Sequence, residues 1–137
     1  MTNSMEEIKK SLTKQHDTLQ SDMEEISTLI ISGNDFDAIK ALSLLVKFND
    51  DLNKHLELEN QQFYPEVIKQ MRGVADAEKM KNLFHDMSIM EKAVYRLLQK
   101  YSSAEKIKEM WQDFKKEFEE IKAVLSLRMD LEEKNVF

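Results

Sequence analysis

The stretch Met5-Glu-Glu-Ile8-Lys-Lys-Ser-Leu12-Thr-Lys-Gln-His16-Asp-Thr-Leu19-Gln-Ser-Asp-Met23-Glu-Glu-Ile26-Ser-Thr-Leu-Ile30 decides the fold. Its apolar residues Met5, Ile8, Leu12, Leu19, Met23, Ile26 and Ile30 fall on one face of a helix, with charged residues around them. Ser4-Met-Glu-Glu7 reads as a capping box at its start. Such a stripe needs partners, and the rest of the chain supplies them. Gly33, Pro65 and Gly73 are the only Gly and Pro residues, and they cluster at two places. The first helix is expected over residues 5–32, stopping at Gly33-Asn34-Asp35. The second runs from Asp35 to Phe63. Pro65 is expected to push Tyr64 out of helical geometry, with a turn of helix after it and Gly73 closing the connection. A third helix covers 76–100. Ser102-Ser-Ala-Glu105 is a second capping box, so the fourth starts at 103 and continues almost to Phe137.

The later helices carry stripes of their own. Leu42, Leu45, Leu52 and Leu56 mark the second, and Met80, Leu83, Phe84, Met87, Met90, Val94, Leu97 and Leu98 the third. Ile107, Trp111, Phe114, Phe118, Ile121 and Leu125 mark the fourth. Four amphipathic helices with short connections predict an all-α, up-down-up-down antiparallel four-helix bundle forming a single domain over residues 1–137. The absence of Cys excludes a disulfide framework, a thiolate metal site and a cysteine nucleophile. It points to a cytoplasmic protein, as does the lack of a signal peptide or an unbroken apolar span. A formal net charge of −6 without a basic patch argues against nucleic acid and anionic membrane surfaces as partners. The nine Met residues are core filler, a reading preferred to thioether ligation or to a haem held by Met87 and a His.

Burying charge is costly unless it is paired or metal-bound, so polar residues on these stripes are informative. His16 lies between Leu12 and Leu19. His55 and Glu59, four residues apart, continue from Leu52 and aim at one spot. Arg128 and Glu132 continue from Leu125 at the same spacing. In antiparallel hairpins these positions share one level: His16 precedes His55 by 39 residues, and Met87 precedes Arg128 by 41. His55-Leu-Glu-Leu-Glu59 is thus echoed by Arg128-Met-Asp-Leu-Glu132. On the third helix His85 points about 160° away from Met87 at 100° per residue, so Met87 is expected to face the site and His85 to face water. Glu91, one turn beyond Met87, is a weaker candidate ligand, and His85 another that would need a distortion of the third helix to reach the site.

On these residues, and on the segment His55-Leu-Glu-Leu-Glu59-Asn-Gln-Gln-Phe-Tyr-Pro65, the chain resembles the hemerythrin-like (HHE cation-binding) family over its whole length. The resemblance implies a bundle holding iron, with His16, His55, Glu59 and Glu132 at retained ligand positions. Arg128 stands where the family's fourth-helix His belongs, and Met87 where its third-helix His belongs. Two imidazoles and two carboxylates suit Fe(II), Mn(II) or Zn(II), and the expected site is mononuclear or a partial di-iron centre. By resemblance the domain binds or senses oxygen, nitric oxide or iron. The alternative is a metal-free regulatory or interaction bundle in which the Arg128 guanidinium replaces the metal's charge beside Glu59 and Glu132. An enzyme of oxygen or peroxide chemistry is the third reading.

Overall fold

The computed structural model describes residues 4–32, 37–70, 74–135 and 137. The expected stops at Gly33-Asn34-Asp35 and at Gly73 lie outside these residues. Helix α1 spans Met5–Ser32, α2 Asp37–Leu58, α3 Tyr64–Gln70, α4 Val74–Lys100, α5 Ala104–Glu109 and α6 Trp111–Asn135. A single π-helical turn, Glu59–Phe63, joins α2 to α3. Among the described residues there is no strand, and no helix is long and apolar enough to cross a membrane.

Helix α1 packs against α2, α2 against α4, α4 against α6, and α6 against α1, which closes a four-membered bundle. Side-chain pairs fix its directions. Along α1 and α6, His16 meets Glu132, Gln20 meets Ser126 and Ser27 meets Glu119, so the two run antiparallel. Asp22 pairs with Lys47 and Gln15 with His55, which makes α1 and α2 antiparallel. Lys79 with Asn135, Asp86 with Arg128 and Lys100 with Glu117 do the same for α4 and α6. Neighbouring α2 and α4 are then antiparallel as well, and the expected up-down-up-down bundle is the observed architecture.

The termini follow local chemistry with two corrections. Ser4 Oγ accepts the Glu7 N–H at 3.2 Å and caps α1 as read from the sequence. The second cap is Ser103 rather than Ser102, its Oγ accepting from the Lys106 N–H at 3.2 Å. The fourth helix is also interrupted, because Met110 leaves helical geometry (φ −113°, ψ 36°) between α5 and α6. No Gly or Pro announces that break.

The apolar residues form two buried clusters. The larger one contains Leu19, Met23, Leu45, Phe48, Leu52, Met87, Phe114, Phe118 and Met129 among others, and the smaller one is Ile8, Leu12, Phe63, Tyr64, Met80 and Leu83. His16 on α1 falls between Leu12 of one and Leu19 of the other, and Glu59 between Leu56 and Phe63. The polar interruptions therefore mark the junction of two hydrophobic units.

Phe118 is fully buried, edge-on to Phe48 with centroids 6.3 Å apart and stacked on Phe114 at the same distance. Replacing Phe118 by Ala leaves a cavity at that crossing and is expected to lower the unfolding free energy by about 3–5 kcal/mol. Urea unfolding followed by far-UV circular dichroism measures this; an unchanged midpoint would contradict the packing described.

Candidate metal centre

Four side chains from four successive or packed elements meet at the cluster junction: His16 from α1, His55 from α2, Glu59 from the first residue of the π turn, and Glu132 from α6. All four are buried, and one donor atom from each lies within 4.8 Å of the others. His16 Nε2 is 3.1 Å from His55 Nε2 and 3.1 Å from Glu132 Oε1, while His55 Nε2 is 2.6 Å from Glu59 Oε1 and 3.8 Å from Glu132 Oε1. Donors held ~2.1 Å from one transition-metal ion are themselves separated by roughly 3 Å. The spacing is that of a ligand set.

The outer ring nitrogens are already engaged. His16 Nδ1 is 3.2 Å from Glu133 Oε1, and a carboxylate only accepts, so Nδ1 carries the proton. His55 Nδ1 donates to Gln15 Oε1 at 2.8 Å. Both Nε2 lone pairs consequently face each other across 3.1 Å, an arrangement that calls for a proton or a metal ion between them. Glu59 points the same way. Although His55 Nε2 is close to its Oε1, the approach lacks hydrogen-bond alignment, and both Glu59 oxygens are buried without a hydrogen bond. A fully buried carboxylate in that condition is costly unless a cation meets it.

Glu132 is held differently. Its Oε1 faces His16, whereas its Oε2 accepts a 2.5 Å hydrogen bond from the Tyr64 hydroxyl. Burial would raise the Glu132 carboxyl, yet His16, the nearby His55 and the Tyr64 hydroxyl hold it down to about 2. Burial dominates at Glu59 and pushes it up to about 8. For His55 burial pulls down, but Glu132 and Glu59 reverse this and raise it to about 9. Burial and the neighbouring carboxylates also push the Tyr64 phenol far above its ordinary range, so it remains a donor.

Tyr64 reaches the site because of the π turn. Contrary to the expectation from Pro65, Tyr64 is helical (φ −61°, ψ −38°), and its N–H bonds to the Glu59 carbonyl, five residues back. Proline has no N–H to give and its ring crowds the carbonyl four residues before it; one widened turn ahead of Pro65 accommodates both. The extra residue brings Tyr64 over Glu59, and Phe63 and Tyr64 are both buried. Phe137 covers the other side, stacking on His16 at 5.0 Å and meeting Phe63 edge-on at 5.3 Å.

The remaining expected residues lie elsewhere. Arg128 does not face the carboxylates: its guanidinium pairs with Asp86 of α4 at 3.1 Å, and both side chains are one-third exposed. The buried line of α6 runs through Leu125, Met129 and Glu132, a step of four where the sequence reading took three, which turns residue 128 to the bundle's flank. The metal-free alternative resting on Arg128 loses its premise, since the cation beside Glu59 and Glu132 is His55 itself. Met87 is fully buried in the larger apolar cluster, a packing position. His85 is exposed and Glu91 half-buried on α4, and neither joins the group of four. Sequence reasoning missed Gln15, Glu133 and the site role of Tyr64. The first two resemble solvated neighbours of ligands, and only the adjacency of Pro65 to the His55–Glu59 segment hinted at the third.

No curated protein and no solved structure matches the chain. The hemerythrin HHE cation binding domain, by contrast, matches residues 7–137. That match takes in every residue of the buried His/Glu group, and the chain belongs to the hemerythrin HHE cation-binding domain family.

Proposed function

We propose that this domain binds a single divalent transition-metal ion through His16, His55, Glu59 and Glu132, that the ion is iron(II), and that the loaded domain binds or senses a diatomic gas. The observation that carries the metal reading is the pair of opposed Nε2 atoms, each turned inward by an acceptor on its Nδ1, with two buried carboxylates beside them. Imidazole with carboxylate suits iron(II) and manganese(II), the family match supports a cation, and the resemblance read from the sequence favours iron. A second iron is not supported, because among the described residues only this one group of His and acidic side chains converges, and α4 turns His85 to solvent.

Equilibrium dialysis against Fe(II) under anaerobic conditions is expected to give one ion per chain, and nitric oxide added to that form should produce a ferrous-nitrosyl electron paramagnetic resonance signal. Glu59→Gln and His55→Ala should abolish retention of the ion. Gln15→Ala, which removes only the acceptor orienting His55, is expected to weaken binding by about 10–100-fold. Arg128→Ala and His85→Ala should leave affinity unchanged, the former costing no more than ~1 kcal/mol of stability because its ion pair is partly exposed. Retention of iron by Glu59→Gln at wild-type affinity would overturn the assignment.

The electrostatics give a separate test. Near neutral pH the metal-free group holds a protonated His55, a protonated Glu59 and an ionised Glu132, and the charges of these three sum to zero. A divalent ion with two carboxylates is also neutral, so binding should expel about two protons. Both protonated groups titrate higher in the folded chain than in the unfolded one: His55 moves from 6.5 to about 9 and Glu59 from 4.5 to about 8. The folded state therefore holds protons that the unfolded state has released, and stability falls as pH rises. Melting temperatures of the metal-free protein should drop fastest between pH 6.5 and about 8, where both differences act. The iron-loaded protein should show no such drop, since its ligands are already deprotonated.

A further inference from the structure

The two carboxylates of the site are chemically alike and held in opposite ways. Glu59 has neither oxygen in a hydrogen bond, so both are free to bind a cation. Glu132 presents Oε1 to His16 while its Oε2 is taken by the Tyr64 hydroxyl at 2.5 Å. Tyr64 is itself fixed: it is buried in the smaller apolar cluster, packed edge-on against Phe63 at 5.2 Å, tilted against Phe84 at 5.1 Å, and held by the π turn through its backbone N–H. The phenol therefore cannot follow Glu132 if the carboxylate swings to chelate. Counting donors, the two imidazole Nε2 atoms, the two Glu59 oxygens and Glu132 Oε1 make five at most. A six-coordinate ion has one place left.

We propose that Tyr64 sets the coordination number of the bound ion by occupying the second oxygen of Glu132, which keeps one position open for a small exogenous ligand. Tyr64 acts as a positioning residue and touches Glu132, not the ion. Without its hydroxyl, Glu132 Oε2 is free to close the ring and fill the sixth place with a tethered donor, which competes at high effective concentration with anything arriving from solution. The inference rests on the metal-binding reading above and adds to it a determinant of what else the ion can hold.

The test uses cobalt(II) as the ion, its visible bands as the readout, and azide as the exogenous ligand, comparing wild type with Tyr64→Phe, which removes one oxygen and little volume. Wild type should bind one cobalt and then one azide. Tyr64→Phe should bind cobalt as tightly or more tightly, with weaker visible bands from the higher coordination, and azide about tenfold or more weakly. The opposite directions separate positioning from general damage, since a merely structural loss would weaken both. Equal azide affinity in the two proteins, or a parallel loss of cobalt and azide affinity, would overturn the inference while leaving metal binding intact. Cobalt-loaded wild type that takes up no azide overturns it without reference to the variant's folding. Wild type that binds no cobalt, iron or manganese would overturn the metal reading and this inference with it.

Discussion

Two imidazole nitrogens face each other across 3.1 Å in the dry interior of the bundle, and the rest of the site is arranged around that confrontation. Each ring is turned inward by a neighbour of the other helical ligands. Gln15, next to His16 in sequence, holds His55; Glu133, next to Glu132, holds His16. The crossing means that α1, α2 and α6 must be in register before either ring is oriented. A packed apolar layer would be cheaper at this level, since buried ionic groups contribute little net stability even when well paired. Retaining a buried pair of His and a pair of Glu between two hydrophobic clusters is understandable when a cation is to be held there.

The architecture was legible because hydrophobic period and breakers agreed: four stripes and two Gly/Pro clusters leave one simple bundle. The convergence of His16, His55, Glu59 and Glu132 was legible for a related reason, as each interrupts a stripe and the hairpin lengths put the interruptions at one level. Arg128 was misplaced by an ambiguity inherent in a period of 3.6, since after Leu125 either residue 128 or Met129 can continue the seam. Packing chose Met129, and Arg128 found Asp86 on the flank. Helical period cannot assign Gln15 and Glu133, because residues adjacent to a ligand lie about 100° from it and read as surface.

The π turn was out of reach for a different reason. The rule that a residue before proline avoids helical geometry supposes an ordinary α-helical turn, and Glu59–Phe63 is wider. With hydrogen-bonded groups five residues apart, Tyr64 satisfies its N–H at Glu59 and Pro65 enters α3 without a clash. One inserted residue changes which side chains face inward for the rest of that segment. It makes Tyr64, expected from the sequence only to leave helical geometry ahead of Pro65, the donor that fixes Glu132. Local backbone irregularity and site chemistry are here the same feature.

The charge count of the buried group reaches further than affinity. Two carboxylates and two neutral imidazoles neutralise a divalent ion and nothing more, and no additional acid belongs to the cluster among the described residues. Removing one electron from an ion bound there would leave a unit positive charge beside Phe63, Phe137 and the apolar residues around them. The nearest further carboxylate, Glu133, meets only the outer nitrogen of His16, so an ion bound through these four residues would be favoured in its divalent state. With such an ion in place, an arriving anion that shared it would favour oxidation. Ligand capture and electron loss would then be linked in a single equilibrium, set by how many acids the bundle keeps inside.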